Sequence, residues 1–231
     1  MNRYCLIICI LLLKLNCYAR KQEQPYLFES ITNKTGLAHN SVHSIAQDTN
    51  GIIWIGTANG ITRYDSYNLS NYYADGSNGL LTDKTKKIFV DSKNNVYVAT
   101  TKGVYKYNNV SDNFDTVPVK HLPKAQINDI HETSNNELLF GVMDGIVVYY
   151  LDSLKSVKLK NAWFMTRQIE ENDSSYWIAS NKGVKVYDKQ FNKIKEFNRD
   201  NTKKLQTNNI LSIKIASDGK VWIGTANSGL K

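Results

Sequence analysis

Cysteine is scarce in this 231-residue chain, and all three (Cys5, Cys9, Cys17) fall within the first seventeen residues. Proline is equally scarce at 3, glycine stands at 13, and no apolar run reaches the eighteen or so residues that a membrane-crossing helix needs. Collagen-like, linker-like and membrane-helical architectures are therefore excluded. With 42% hydrophobic and 11% aromatic residues, the chain has the material for a substantial core.

The amino terminus reads as a cleavable signal peptide over residues 1–19. Asn2 and Arg3 give a polar, basic start, Leu6 to Leu13 an apolar run, and Cys17 and Ala19 small residues at the −3 and −1 positions of a cleavage site. Lipoprotein processing at Cys17 is the alternative, which Lys14 and Asn16 suit poorly; the run is too short for an uncleaved anchor across ~30 Å of hydrocarbon. Cleavage leaves no cysteine, so a disulfide scaffold and a thiolate metal site are both excluded, and a bacterial periplasm is the expected compartment. It also removes Arg3 and Lys14 and no acid, so the net charge falls from +8 to +6. The lysines are scattered through turns, which reads as a solvated surface and gives no nucleic-acid partner. The four Asn-x-Ser/Thr sequons at Asn33, Asn68, Asn109 and Asn172 are expected by chance in so Asn-, Ser- and Thr-rich a chain.

What the chain does have is an internal repeat. A bulky residue precedes a glycine by six positions in Trp54/Gly60, Tyr97/Gly103, Leu139/Gly145 and Trp177/Gly183, and by seven in Trp222/Gly229. The bulky anchors are 43, 42, 38 and 45 residues apart. Each copy opens on a short alternating run (42–46, 87–90, 127–130, 166–169, 210–215), the pattern of a half-buried strand. A tight turn follows, with Gly51, Asn94, Asn136, Ser174 and Gly219 three residues before the anchor, where positive φ is expected. Asp48 and Asp91 stand three residues earlier as Asx-turn acceptors; Glu171 is a looser substitute, and Thr133 and Ala216 depart from the pattern. The second residue after the anchor is always Gly or Ala, as close packing of neighbouring sheets requires. A third strand is expected to start at each repeated glycine, Gly229 included, and a fourth, more polar segment (69–73, 113–117, 156–159, 193–197) reads as an exposed edge.

Four short strands repeated every ~40–45 residues predict an all-β fold of β-propeller blades. A sandwich leaves the fixed aromatic and glycine unexplained, and stacked helical repeats need a 3.6-residue spacing that is lacking. The expected blades are 40–75, 84–117, 125–160, 163–198 and 208–231. The last is incomplete, so the ring is open or partial.

The run from Asn40 to Asp65, with Asp48-Thr-Asn-Gly-Ile-Ile-Trp-Ile-Gly-Thr-Ala-Asn-Gly60 at its centre, resembles the two-component regulator propeller repeat. It is similar to repeats in the periplasmic sensor regions of bacterial hybrid two-component histidine kinases. The likeness covers nearly all of residues 26–231, strongest in the first and fifth copies and weakest in the third, where Leu139 replaces the aromatic. It implies that residues 26–32, including Phe28-Glu-Ser-Ile31, form a first strand pairing into a distant blade. It also implies two propellers, an immunoglobulin-like segment, a membrane helix, and kinase, receiver and DNA-binding domains. None of these later parts is in the sequence, so a fragment of a sensor is expected, completed by further blades or a second chain.

Catalytic patterns are missing. His39, His43, His121 and His131 share no ligand spacing, so no metal is expected. There is no phosphate-binding glycine loop and no Gly-x-Ser-x-Gly elbow. The Asp48-to-Trp54 stretch is similar to the Asp-box of sialidase propellers, but its spacing differs and that box is itself a structural turn. No cofactor is implied. Candidate ligand contacts are His39, Asn40, Asn59, Lys102, Asp144, Asn181, Asn208 and Asn209, on the loops that link second to third strands and blade to blade; amides and charges on one rim suit an oligosaccharide or another small polar ligand. Trp54, Trp177 and Trp222 could stack on sugars, but their fixed repeat position assigns them to the core between blades. Three readings follow: a non-catalytic periplasmic sensor fragment, a stand-alone interaction module completed by a partner chain, and, least favoured, a propeller glycoside hydrolase.

Overall fold

The computed structural model describes residues 27–120, 122, 127–159 and 163–231. The expected signal peptide and His121 lie outside the described residues. Residues 27–30 group apart from the body of residues 31–231. No strand forms over 27–32, where a pairing strand was expected. A strand's backbone groups need a neighbouring edge; here Thr32 instead caps a 3₁₀ turn, Asn33–Thr35, its N–H bonding the Thr35 hydroxyl at 2.8 Å.

Among its described residues the body is all-β, with four four-stranded antiparallel sheets and one two-stranded sheet, each running in chain order. Blade one comprises β1 (Val42–Gln47), β2 (Ile53–Thr57), β3 (Ile61–Tyr64) and β4 (Leu69–Tyr72). Blade two comprises β5 (Thr85–Val90), β6 (Val96–Thr100), β7 (Gly103–Asn108) and β8 (Asn113–Thr116). Blade three comprises β9 (Ile127–Glu132), β10 (Glu137–Val142), β11 (Gly145–Tyr150) and β12 (Lys155–Lys158). Blade four comprises β13 (Thr166–Glu171), β14 (Ser175–Ser180), β15 (Gly183–Asp188) and β16 (Lys193–Phe197). Blade five pairs β17 (Ile210–Ile215) with β18 (Val221–Thr225), and Leu230 bridges back to Gly224. The first strands of successive blades lie side by side, β1 on β5, β5 on β9, β9 on β13 and β13 on β17, with no comparable contact between β17 and β1. This is an open ring of propeller blades.

Gly229 corrects the expectation of a third strand in the fifth copy. Gly103, Gly145 and Gly183 open β7, β11 and β15, and Gly60 directly precedes β3, but no strand starts at Gly229. Its turn is one residue longer: the Thr225 N–H reaches the Gly229 carbonyl at 3.2 Å, four positions on, where Thr57 reaches Gly60 at 3.0 Å, three positions on. Leu230 bridges back to Gly224, and Ile223 and Lys231 exchange paired backbone bonds at 2.9 Å. Gly229 is also exposed, and a Cβ there, as at Gly103, would meet nothing within 4 Å, whereas one on Gly60 or Gly183 would stand 2.9 or 2.2 Å from a fourth-strand carbonyl. It keeps the positive φ of the other repeated glycines, at 70°, but in a turn with no strand starting at it.

The turn chemistry of the first hairpins follows the repeat with instructive departures. Asp48 Oδ1 accepts the N–H groups of Asn50 and Ile52 at 2.9 and 3.1 Å, and Asp91 Oδ1 those of Lys93 and Asn95 at 3.0 and 2.7 Å. Thr133 fills the same role with its hydroxyl, accepting from Asn135 and Glu137, both at 3.2 Å. Glu171 does not: Asn172 caps that turn, accepting from Ser174 and Ser175 at 3.1 and 2.8 Å. The turn closes one residue sooner, from Asn172 to Ser175 where the first runs from Asp48 to Ile52. Positive φ is therefore found at Gly51, Asn94, Asn136 and Gly219 but not at Ser174.

The core sits in the seams between blades. Trp54 packs with Ile88, Val96 and Tyr105 of blade two, Tyr97 with Ile127, Ile130 and Leu138 of blade three, and Leu139 with Ile169 and Tyr176 of blade four. Trp177 lies against Leu205, Ile210 and Ile213. Leu139 is fully buried although smaller than its counterparts, because Phe164 and Tyr176 fill its seam. Trp222 has no such seam and is not core, contrary to its assignment by repeat position, because no following blade packs on it. The small residue after each anchor lets the next blade approach: a Cβ on Gly56 or Gly141 would stand 2.5 Å from Thr85 or Thr166 respectively, far inside contact distance. The fourth strands are not uniformly exposed edges, since Tyr72 and Phe114 are buried and join Trp54 and Tyr107 in one aromatic cluster.

Candidate ligand-binding surfaces

Antiparallel order places the turns joining second to third strands, and the links between blades, at one end of every blade; the hairpins joining first to second and third to fourth strands are at the other. The candidate rim residues belong to the first end, and most are tied into the scaffold. Asn40 Oδ1 accepts the Asn33 N–H at 2.8 Å and Asn208 Oδ1 that of Arg199 at 2.8 Å. Asp83, which the sequence reading did not single out, accepts the Ala74 N–H at 2.6 Å in the same way. All three stand two residues before a first strand, so each braces the link between blades. Asn181 Oδ1 does similar work for the Met165 N–H at 2.8 Å. The Asn209 carbonyl accepts from Ala226 at 3.1 Å, His39 Nδ1 accepts from Ser41 at 3.0 Å, and Asp144 pairs with Lys158. Asn59 and Lys102 use only their backbone N–H groups, bonding Thr57 and Thr100 at 3.2 and 3.0 Å, and both side chains are exposed. Among the described residues, Asn59 and Lys102 therefore leave their side chains without a bond to the scaffold, and Asn209 Oδ1 is buried with no hydrogen-bond partner.

The inner wall carries a relay that the sequence reading passed over. Ser44 Oγ accepts the Ile88 N–H at 3.0 Å, Lys87 pairs with Asp129 at 2.9 Å, Asp129 Oδ2 accepts the Ile169 N–H at 2.8 Å, and Gln168 Oε1 accepts that of Ile213 at 3.1 Å. Each acts from the third position of a first strand onto the next blade. A β-bulge precedes that position in all five blades. It frees the residue before it, so that His43 meets the Thr85 carbonyl at 2.8 Å and Asn128 the Thr166 carbonyl at 2.7 Å. Burial pushes the Asp129 carboxyl above its ordinary value, against the pull of Lys87 and the Ile169 N–H. The available signal was the polar character of one fixed strand position.

At the hairpin end, carboxylates latch blade to blade. Glu132 accepts the N–H and hydroxyl of Ser92 at 2.7 and 2.8 Å. Glu171 accepts the Ser134 hydroxyl at 2.7 Å, meets His131 Nε2 at 3.0 Å and pairs with Lys189. Burial opposes the Glu171 charge, but the hydrogen bonds from Lys189, Ser134 and His131 prevail and hold its carboxyl below the usual range. A cleft of about 750 Å³ opens beside these latches. Two more lie in the outer seams, about 640 Å³ between blades one and two and about 380 Å³ between blades two and three.

Those outer clefts reflect one repeat position. The residue paired across the sheet with each anchor is Arg63 in blade one, Lys106 in blade two, Val148 in blade three and Val186 in blade four. Val148 and Val186 are 1% and 2% exposed and complete their seams, whereas Arg63 and Lys106 line the clefts. Among the described residues no group of three His, Cys, Asp or Glu side chains gathers to hold a metal, and no helix is long and apolar enough to cross a membrane.

No curated protein matches the chain in sequence. Among solved structures it is similar to the extracellular domain of the one-component system BT4673 of B. thetaiotaomicron, with 19% identity and a TM-score of 0.73 over 90% of this chain and 28% of that one. It thus spans under a third of that domain. PorZ of Porphyromonas gingivalis, a surface component of the type-IX secretion system, aligns over 82% of this chain and 31% of its own at 20% identity and a TM-score of 0.66. Virginiamycin B lyase of Staphylococcus aureus aligns over 83% and 69% at 16% identity and a TM-score of 0.61. At these identities the likeness concerns the fold alone, which serves surface components and an enzyme alike. The family model described as two component regulator propeller matches residues 36–59 and 204–227, the first and fifth copies, where Trp-Ile-Gly-Thr-Ala-Asn is intact. These two copies match the two component regulator propeller repeat.

Proposed function

We propose that the chain is the ligand-sensing propeller portion of a periplasmic two-component sensor, non-catalytic in itself, whose cue is a small polar molecule such as an oligosaccharide. The matched repeats carry this reading. The propeller fold, shared with the extracellular domain of BT4673, supports it. Bonds between neighbouring blades dominate the inner wall and the hairpin end, so a ligand bridging two blades would favour one inter-blade arrangement and bias a downstream equilibrium by its differential affinity. Calorimetry with a panel of neutral and acidic oligosaccharides, with product analysis on the same samples, tests the proposal. Saturable binding without turnover is expected; product release would overturn the non-catalytic reading.

A second reading, an interaction module completed by a partner chain or by further blades, draws on the two open faces. Ile88, Ile130, Ile169 and Ile213 are 1–3% exposed where each meets the preceding blade, but their counterpart Ile45 is 64% exposed. Trp222, the fifth anchor, is 47% exposed. These are the two halves of a seam contact, both uncovered. Light scattering across a concentration series, with Trp222 fluorescence as the local probe, separates an associating module from a monomer.

A further inference from the structure

We infer that the cleft between blades one and two is a binding site for an oxyanion, a carboxylate, sulfate or phosphate group carried by a small polar ligand, with Arg63 as its principal donor. The inference rests on the reading of the propeller as a ligand-binding module and adds the chemistry of what it binds. Arg63 projects from β3 beside Trp54, on the face turned toward blade two. Its Nε is buried and has no hydrogen-bond partner, and among the described residues Arg63 makes no ion pair. An unsatisfied buried donor is costly, more so on a charged group. Valine at the equivalent position of blades three and four shows that the repeat has no structural need for a cation there.

The neighbouring carboxylates are committed elsewhere. Asp48 accepts two turn N–H groups and the Trp54 indole N–H at 3.2 Å. Asp112 accepts the hydroxyls of Tyr72 and Tyr107, both at 2.7 Å, and Asp115 the Asn108 amide at 2.9 Å. Lys93 and Lys106 also line the cleft and, like Arg63, make no ion pair among the described residues. Three cations thus face two carboxylates, Asp48 and Asp115, in a space of about 640 Å³, the size range of small-molecule sites. A guanidinium with open donors suits the planar, two-point recognition of an oxyanion.

The test is titration of the full chain with sulfate, phosphate and D-glucuronate, and with D-glucose as the neutral control, followed by calorimetry and by backbone amide shifts. At least one anion should bind with its largest shifts around Arg63 and Lys93. Affinity should fall at least about tenfold in Arg63→Val, less in Lys93→Ala, and remain unchanged in Lys220→Ala, where the lysine pairs with Asp218 at 2.6 Å. Arg63→Val borrows the residue of blades three and four; if circular dichroism shows it misfolded, Arg63→Gln takes its place. Comparison of glucuronate with the inorganic anions distinguishes a sugar acid from a free oxyanion. Equal affinity in the Arg63 variant, or no anion binding at all, overturns the site. If no anion binds while D-glucose or a neutral oligosaccharide does, indifferently to Arg63, the oxyanion site falls and the sensor reading stands.

Discussion

The seam between blades one and two and the seam between blades three and four are built from the same repeat, yet one encloses a charged cleft and the other a valine. Arg63 and Val148 pair with their anchors in the same register, Trp54 with Arg63 and Leu139 with Val148. The difference separates what the repeat needs in order to fold from what individual blades have been given besides. Exchanging the residues should break the comparison in opposite directions. Val148→Arg places an unpaired guanidinium in a closed seam and should cost about 5 kcal/mol, enough to unfold a marginal domain. Arg63→Val should leave stability unchanged or raise it by up to about 1 kcal/mol. Urea unfolding of both variants checks this, and equal losses would mean that Arg63 is as structural as Val148.

The anchors offer the next contrast. Trp54 is 1% exposed and its indole N–H is bonded to Asp48, while Trp222 has only blade five around it and is 47% exposed. Trp54→Ala should cost about 3–5 kcal/mol, as for other large-to-small core substitutions, and Trp222→Ala about 1 kcal/mol or less. A large loss at Trp222 would show that its face is covered in solution, and light scattering would then identify whether a second copy covers it.

The blade periodicity, the first four anchors, the small residue two positions on and the Asx turns were legible because each repeats at a fixed offset and answers one local demand. The family resemblance was strongest in the same two copies that match the repeat model. In the fifth copy the letters of the repeat outran its structure: Trp222 and Gly229 are present, but an anchor is buried only by a following blade, and a strand forms only where enough chain pairs. Seam contents were less legible. Whether a cation at one position lines a cleft depends on the facing blade, and a single copy does not reveal that. The relay through Ser44, Lys87, Asp129 and Gln168 uses four residue types for one role, so no shared letter marks it. Asn40 and Asn208 looked like ligand groups because a polar side chain bracing its own loop has the same composition as one offered to a ligand. Glu171 was assigned to its own turn, whereas the structure uses it across the seam.

That latch gives a pH test. The Glu171 carboxyl is held below its ordinary value of 4.5 in the folded protein, so the stability it adds is present above that pH and lost as pH falls through the folded value. Glu171→Gln should cost about 1.5–3 kcal/mol at neutral pH. The gap from wild type should narrow below pH 4.5, measured by thermal unfolding between pH 3 and 7. A constant gap would assign the loss to packing. The corresponding outer seam of blades one and two, where the Thr49 N–H bonds Asn94 Oδ1 at 2.7 Å, uses no carboxylate. Asn94→Ala should therefore show a gap that does not change with pH.

The smallest effect concerns the hairpins, and it tests why blade four departs from the others. Asn94 and Asn136 have φ of 65° and 60°, a region that costs a side-chain-bearing residue energy and glycine almost none. Asn136→Gly relieves that strain, which offsets the added chain entropy of the unfolded state and the loss of the exposed Asn136 Nδ2 bond to Asp152 Oδ1 at 3.3 Å, so it should be neutral within about 0.5 kcal/mol. Ser174 sits at the aligned position, but its turn is one residue shorter and its φ is not positive. There glycine has no strain to relieve and removes the Ser174 hydroxyl's contact with Asn172 at 3.3 Å, so Ser174→Gly should lose about 0.5–1 kcal/mol. Differential scanning calorimetry of the two variants, run side by side, resolves the contrast. If Ser174→Gly proves as harmless as Asn136→Gly, the turn of blade four is not held by the tight Asn172–Ser175 closure.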